Sequence, residues 1–293
     1  MISLRLPLYT VMSRATLVSA FAAAGVGAYY SIRSAHAESS EPPKVFGGLG
    51  FTTLRLKDVQ QVNHNTKRLS FEFLDPHAQS GLTPISALLT VSWPNGRWLP
   101  VLRPYTPISP LDQRGGIELL VKKYPNGKGS THLHSLVPGD KLTFAAALKG
   151  FPWKPNQFSQ VFLIAGGAGI TPIYQLIQGI LNNPKDKTRI KLVFGVHTEQ
   201  DVLLKKELDE YRERFPDRFE YLYTVSHPVG KDTAFRKGYI TEDLLKDVVG
   251  GPNQNAKIFI CGPPGLEESL VGSKGTQGIL ARLGFTKDQI YRF

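Results

Sequence analysis

The stretch Val161-Phe162-Leu163-Ile164-Ala165-Gly166-Gly167-Ala168-Gly169-Ile170-Thr171-Pro172 decides how the rest of the chain is read. A short apolar run ending in glycines is the pattern of a strand buried on both faces. Behind it Ile173, Leu176, Ile177, Ile180 and Leu181 recur at helical spacing on one face, as a helix packing back on a sheet requires. Further apolar runs at Ile190 to Val196, Phe219 to Val225 and Lys257 to Cys261 alternate with helical stretches. That alternation predicts a parallel-sheet α/β domain over residues 158–293. Glycines after the first strand would let backbone N–H groups approach a phosphate at the helix N-terminus, and Pro172 suits a first helical turn. The spacing does not match G-x-G-x-x-G, so taken alone the turn reads as a phosphate seat or as a simple tight turn.

Upstream the period changes. Leu69, Phe71 and Phe73 alternate with Ser70 and Glu72, and turns such as Trp93-Pro94-Asn95-Gly96 separate the runs. Residues 51–152 therefore read as an antiparallel β-barrel, with a proline-containing boundary (Pro152, Pro155) before the α/β half. Within it, Arg103-Pro104-Tyr105-Thr106-Pro107 brings together a cation that can grip a pyrophosphate, a ring that can pack on a flat heterocycle, and a hydroxyl. On an extended strand Arg103 and Tyr105 share one face and Thr106 the other. A proline-rich turn is the plain alternative. Later, Leu120-Val121-Lys122-Lys123-Tyr124 precedes Gly127-Lys128-Gly129-Ser130-Thr131, where Ser130 or Thr131 could cap a short helix that receives a second phosphate, or simply end a hairpin loop. The last strand ends in Cys261-Gly262-Pro263-Pro264-Gly265, at the carboxyl edge where open α/β sheets bind ligands. A lone cysteine there is ordinarily a small hydrophobe, and no histidine is evident to activate it.

Composition narrows the chemistry. The chain has 293 residues, enough for two cores after a short extension, and its single cysteine rules out an internal disulfide or an iron–sulfur cluster. His132 and His134 lack further ligands nearby, so no metal site is expected. The formal net charge is +11, which favours acidic partners or surfaces, but no nucleic-acid-binding signature accompanies it. The first 37 residues contain Arg5, Arg14 and Arg33 and no acid, the composition of a mitochondrial import signal. Between Arg14 and Arg33, Ala15 to Ile32 is an uncharged run of a length that spans a bilayer. A single-pass anchor is the favoured reading of residues 1–37, with a secretory signal cleaved near Ala35-His36-Ala37 as the rival. Residues 38–50 read as a breaker-rich linker.

In this order, R-P-Y-T-P, V-K-K-Y with G-K-G-S-T, G-G-A-G-I-T-P and C-G-P-P-G resemble the signature of the NADH-cytochrome b5 reductase family, within the ferredoxin-reductase-like flavoproteins. The leader resembles that of mitochondrial, fungal-type members. The resemblance spans residues 51–293 and implies a barrel that binds FAD, an α/β domain that binds NADH, and the flavin ring between them. It puts Arg103 at the pyrophosphate, with Pro104 in the same motif, and Tyr105 and Thr106 beside the isoalloxazine. Val121, Lys122 and Tyr124 would flank the flavin, Lys122 also meeting NADH. Gly127, Lys128, Ser130 and Thr131 would surround the FAD phosphates. Thr171 would approach the flavin, with Pro172 in the same cofactor-binding motif, and Gly166, Gly167, Gly169, Cys261, Gly262 and Pro263 would shape the nicotinamide nucleotide site. Thr106, Lys122 and Cys261 are assigned to the catalytic centre.

The implied reaction passes a hydride from NADH to FAD and then single electrons to cytochrome b5 or a similar acidic haem protein. Another haem protein or a quinone as acceptor, or an inactive membrane-tethered binding protein, are the alternatives. The implied location is the mitochondrial outer membrane, with a processed form released into the intermembrane space as a compatible outcome. Three positions depart from the family pattern. Gly129 replaces the usual Met, which would loosen the phosphate loop. Ala145-Ala146-Ala147-Leu148-Lys149-Gly150 replaces a segment that commonly contains Gly-Pro. Ser226 stands where many relatives carry an Asp that excludes NADPH, so NADPH is not shut out by charge.

Overall fold

The computed structural model describes residues 41–47, 50–96, 98–230, 235–250 and 255–293, and residues 43–293 form one compact unit. The expected leader and anchor lie outside the described residues. Among the described residues no helix is long and apolar enough to cross a membrane.

Six strands make the first layer: β1 (Thr52–Asn63), β2 (Thr66–Glu72), β3 (Ser86–Ser92), β4 (Val101–Tyr105), β5 (Gly116–Lys122) and β6 (Lys141–Lys149), with helix α1 (Lys128–Ser135) between the last two. All pairings are antiparallel, in the order β4-β3-β6-β1-β2-β5. The sheet then closes on itself. Just past β4, Pro107 pairs with Leu119 of β5, and Ile108 N–H donates to the Glu118 carbonyl at 2.9 Å. The alternation read in β2 points Leu69 and Phe71 inward, where they meet Leu56, Leu88, Leu119, Leu133 and Phe144 in a dry core. Ala145 is the bulged residue of β6, because Thr90 pairs with Phe144 while the preceding Leu89 pairs with Ala146. The Ala-rich departure is thus strand as far as Lys149.

The linker expected through residue 50 ends earlier. Lys44 pairs with Gln79, Val45 and Phe46 donate to the Gln79 and Ser80 carbonyls, and the Phe46 ring meets Phe73 and Phe144 edge-on. An aromatic side chain seals an open barrel mouth, and that burial outweighs the breaker-rich composition around it.

The second layer is a parallel sheet of β7 (Gln160–Gly166), β8 (Arg189–Val196), β9 (Phe219–Val225), β10 (Arg236–Lys237), β11 (Ala256–Cys261) and, after a small hairpin β12 (Gly272–Ser273) and β13 (Thr276–Gln277), β14 (Ile290–Arg292). Its order is β10-β9-β8-β7-β11-β14, with every pairing parallel. Both faces are covered. Val161, Leu163 and Ala165 point to a core under α2 (Ile170–Leu181) and α3 (Lys205–Arg214). Phe162 and Ile164 point to the opposite core under α4 (Glu242–Val249), α5 (Pro264–Val271) and α6 (Ile279–Arg282). The chain order reverses between β7 and β11, and such a switch point opens a crevice at the carboxyl ends of those strands.

Two glutamines of α2 join the layers. Gln175, fully buried, accepts from Ser86 N–H at 2.7 Å and donates to the carbonyls of Ser86 and Pro107, and Gln178 donates to the Ile108 carbonyl at 3.1 Å. Charges add to the seam: Arg68 of β2 meets Glu207 of α3 at 2.5 Å, and Lys122 of β5 meets Asp201 at 3.0 Å. A cavity of about 230 Å³ lies on this seam, lined by Arg68, Glu118, Tyr174, Gln178, Glu207 and Tyr211 among others.

Candidate functional site

Arg103 and Tyr105 stand on one face of β4 and converge on the first turn of α1. A Cβ on Gly129 would sit 2.9 Å from Arg103 Cγ and 3.6 Å from the Tyr105 hydroxyl. The departure at Gly129 therefore has a local role. The residue lies in helix rather than loop, and its missing side chain lets the Arg103 stem and the Tyr105 ring close over the helix start. Arg103 Nη1 donates to the Leu102 carbonyl, and the side chain is exposed with its stem against Gly129 in the helix first turn. A cation and free backbone donors side by side form an anion seat.

The expected cap at Ser130 or Thr131 is not formed. The N-cap is Gly127, and Ser130 sits inside the helix, where its hydroxyl donates to the Gly127 carbonyl at 3.1 Å and accepts from Tyr124 N–H at 3.2 Å. Thr131 N–H already bonds the Gly127 carbonyl. Ser130 thus pins Tyr124 to the helix start and leaves the first-turn donors free. Lys128 is exposed on the same turn.

Tyr105 is half-buried. Desolvation pushes its hydroxyl up to about 12, with Arg103 pulling down and Tyr124 pushing up. Burial also raises Tyr124, and Cys261 adds to the effect. Thr106 is buried on the opposite side of the strand from Arg103 and Tyr105, as the alternation predicts. Val121 sends its side chain into the barrel core, and its carbonyl holds the His134 ring at 2.8 Å. Only the main chain of Val121 is therefore left to flank a ligand.

Lys122 is engaged across the seam with Asp201, a residue outside the motifs read above. Burial alone would raise this carboxyl, but hydrogen bonds from Lys122 and Thr198 outweigh it and hold it down at about 2. Asp201 also accepts from Thr198 N–H, which closes a capping box after β8 and fixes the carboxylate's aim.

At the carboxyl ends of β7 and β11 the two glycine motifs lie against each other. A Cβ on Gly166 would fall 2.7 Å from Leu266 and 2.8 Å from Pro263, one on Gly262 would fall 2.8 Å from Leu266, and one on Gly169 would overlap the Cys261 carbonyl. Those glycines exist for close packing of two turns. Gly167 differs, since its φ is +52° and nothing lies within 4 Å of the position of a Cβ. It is the open point of the crevice, and α2 starts at Ile170 directly after the short turn Gly167–Gly169. Pro172 occupies the first turn of α2, and Thr171, buried, donates its hydroxyl back to the Ala168 carbonyl at 3.2 Å. Burial pushes the Cys261 thiol up to about 12, with Glu267 adding to it, so the group is neutral and not a nucleophile.

Farther along the same edge, Ser226 follows β9. Its hydroxyl lies 3.4 Å from His197 Nδ1 and 3.1 Å from His227 Nδ1, and the two rings pack with centroids 4.1 Å apart. Glu199 stands nearby, held ionised by the Val229 N–H.

A barrel presenting an anion seat and aromatic rings, joined to a parallel sheet whose switch point opens beside them, defines a two-domain flavin- and nicotinamide-dinucleotide-binding oxidoreductase. The family models agree: residues 53–153 match an oxidoreductase FAD-binding domain and residues 163–271 an oxidoreductase NAD-binding domain. The chain belongs to the NADH-cytochrome b5 reductase family. It is 46% identical to NADH-cytochrome b5 reductase 2 of Pyricularia oryzae, across 94% of this chain and 88% of that one. With the protein of the same name from Neosartorya fischeri it shares 47%, across 92% and 86%. Among solved structures it superposes on the cytochrome b5 reductase domain of Ulva prolifera nitrate reductase with a TM-score of 0.76 at 26% identity, covering 86% of this chain and all of that one. The CS-b5R domains of human Ncb5or share the fold, with a TM-score of 0.72 at 22% identity, covering 84% and 70%.

Proposed function

We propose that this protein accepts a hydride from NADH on a bound FAD and hands single electrons to cytochrome b5. The observation that supports this best is the meeting of the two halves at one place: the Arg103–Tyr105 face and α1 from the barrel, and the Gly167 crevice and Cys261–Pro263 turn from the sheet, with β5 lying against the Gly167–Gly169 turn. The residues fit the cofactor. Arg103 and the first-turn N–H groups of α1 would hold its pyrophosphate, and Tyr105 and Tyr124 offer ring faces to its heterocycle. Bound there, FAD supplies the conversion between two-electron and one-electron chemistry.

The protein's part is orientation. Gly167 leaves space for a dinucleotide to approach the start of α2, while Lys122, fixed by Asp201, holds a positive charge between the domains. No side chain at this meeting point has the geometry of a strong base, and hydride transfer needs none.

The leader supports a single-pass anchor in the mitochondrial outer membrane, and the basic charge of the chain suits an acidic haem partner. The test is to purify the full chain, determine bound flavin, and add NADH anaerobically. Bleaching by NADH followed by salt-sensitive reduction of cytochrome b5 in stopped flow is the expected result. A colourless protein that takes up no FAD, or a reduced flavin that does not react with cytochrome b5, would overturn the reading. A tagged chain lacking residues 1–37 that still reaches mitochondria would refute the leader assignment.

A further inference from the structure

The hairpin joining β3 and β4 ends in an apolar tip that the core does not use. Trp93 is 51% exposed, Trp98 90%, Leu99 59% and Leu102 42%. Other exposed large apolar residues of the described chain, such as Leu74 and Val229, are scattered singly, which is ordinary for a protein surface. Four within ten positions on one projecting hairpin are not ordinary. Ser92 still pairs with Val101, and the turn at its end, Pro94–Gly96, lies against α1 while Trp93, Trp98 and Leu99 stay exposed.

The chemistry of the tip is that of a membrane interface. Indole has an apolar body and one N–H, which suits the headgroup boundary better than a dry core or bulk water. Charge points the same way. From Pro76 to Leu111 the sequence holds no Asp or Glu, while Arg97 stands between Trp93 and Trp98. An acid-free, arginine-bearing stretch is attracted to a surface of anionic lipid.

The chain outside the structure adds a constraint. Ten residues, spanned by eleven Cα–Cα steps, separate Ile32, the end of the uncharged run, from Pro43, where the compact unit begins. Fully extended, they reach about 38 Å. A body of this size has a radius of gyration of about 18 Å, so an inserted leader would keep it within roughly its own width of the bilayer.

We propose that the β3–β4 hairpin is a second membrane contact, with Trp93, Trp98 and Leu99 seated in the headgroup region of an anionic bilayer. Because β4 runs straight from this tip into Arg103 and Tyr105, such a contact would set the orientation of the cofactor site toward the lipid surface, where a membrane-bound electron acceptor moves. The inference does not depend on which acceptor that is.

Tryptophan fluorescence tests it without labels, since the three tryptophans are Trp93, Trp98 and Trp153 and none lies in the leader. The full chain is reconstituted into phosphatidylcholine–phosphatidylserine vesicles, and emission is compared between ordinary lipid and lipid brominated near the headgroup. Bromide quenching that disappears in W93F/W98F, leaving Trp153 alone, is the expected result. Leu99→Glu, which keeps both reporters but adds a carboxylate, should lose the same quenching while retaining flavin and NADH reduction. Emission unaffected by brominated lipid in a protein that holds its flavin would overturn the proposal. So would an emission shift that follows protein concentration without lipid, which would mark a contact between copies. Binding of a haem protein that W93F/W98F weakens in the absence of any lipid quenching would overturn it as well.

Discussion

Replacing Asp201 with Asn removes one charge from the seam and little else, so its effect can be worked from the structure. The carboxylate is 5% exposed, accepts from Lys122 at 3.0 Å and from the Thr198 hydroxyl at 2.8 Å, and is held at about 2 against an ordinary 3.8. A depression of that size corresponds to about 2.5 kcal/mol of folding free energy at neutral pH. Because the folded-state value is the lower one, this stability is fully present above about pH 4 and is lost as the pH falls through about 2. Asn can still accept from Thr198, but Lys122, 18% exposed, is left without its counter-charge. The expected loss in Asp201→Asn is about 2–3 kcal/mol at pH 7, read from urea unfolding followed by circular dichroism and flavin fluorescence. Between pH 4 and 2 the variant should lose less stability than the parent. Removing both partners, in K122M/D201L, should recover more than half of the loss. A single-variant loss below about 0.5 kcal/mol, or an acid limb identical to the parent's, would refute the assignment of Asp201 as the charge that fixes Lys122.

Other outcomes follow from the same geometry. Gln175→Leu strands the buried N–H and C=O of Ser86, so a loss of about 2–4 kcal/mol is expected in the same unfolding assay. Gly169→Ala should abolish NADH reduction while flavin stays bound, because the added methyl meets the Cys261 carbonyl at the crevice and not the barrel; a variant with unchanged single-turnover reduction would contradict this. Ser226→Asp places a carboxylate beside His197 and His227, and the ratio of NADH to NADPH turnover should rise by about tenfold or more in steady-state kinetics. With its thiol held at about 12, Cys261 is neutral across pH 7–9, so iodoacetamide should label it slowly and Cys261→Ala should leave the pH profile of flavin reduction in that range unchanged.

The parts of the fold legible in the sequence were those where burial sets the period. The continuous run Val161 to Ala165 lies within a residue of both ends of β7, and the alternation Leu69 to Phe73 fixes the inward face of β2 but not its start at Thr66. Residues 43–47 were not legible, since breakers in sequence look the same whether or not a single Phe46 plugs a barrel. At the site, motif order located the elements but not the bonds. Ser130 in helix position three reads like a cap, and only the backbone geometry shows it reaching back to Gly127. Asp201 carried no motif, because its importance comes from a lysine 79 positions away. A signal was available in Thr198 and Asp201, a capping pair three residues apart just beyond a strand at the sheet's ligand-binding edge.

Gln175 and Gln178 grip Ser86, Pro107 and Ile108 through main-chain atoms alone. A joint that recognises backbone places little demand on which side chains stand opposite. The two halves are thereby free to drift in sequence at different rates, and to be exchanged between relatives as cassettes, provided that both glutamines travel with the sheet and the barrel keeps its trace at those three positions. Chimeras spliced in the connection near Trp153 should therefore dock without redesign if they also keep the Arg68–Glu207 and Lys122–Asp201 pairs, which makes cofactor-half and donor-half properties separable in the laboratory.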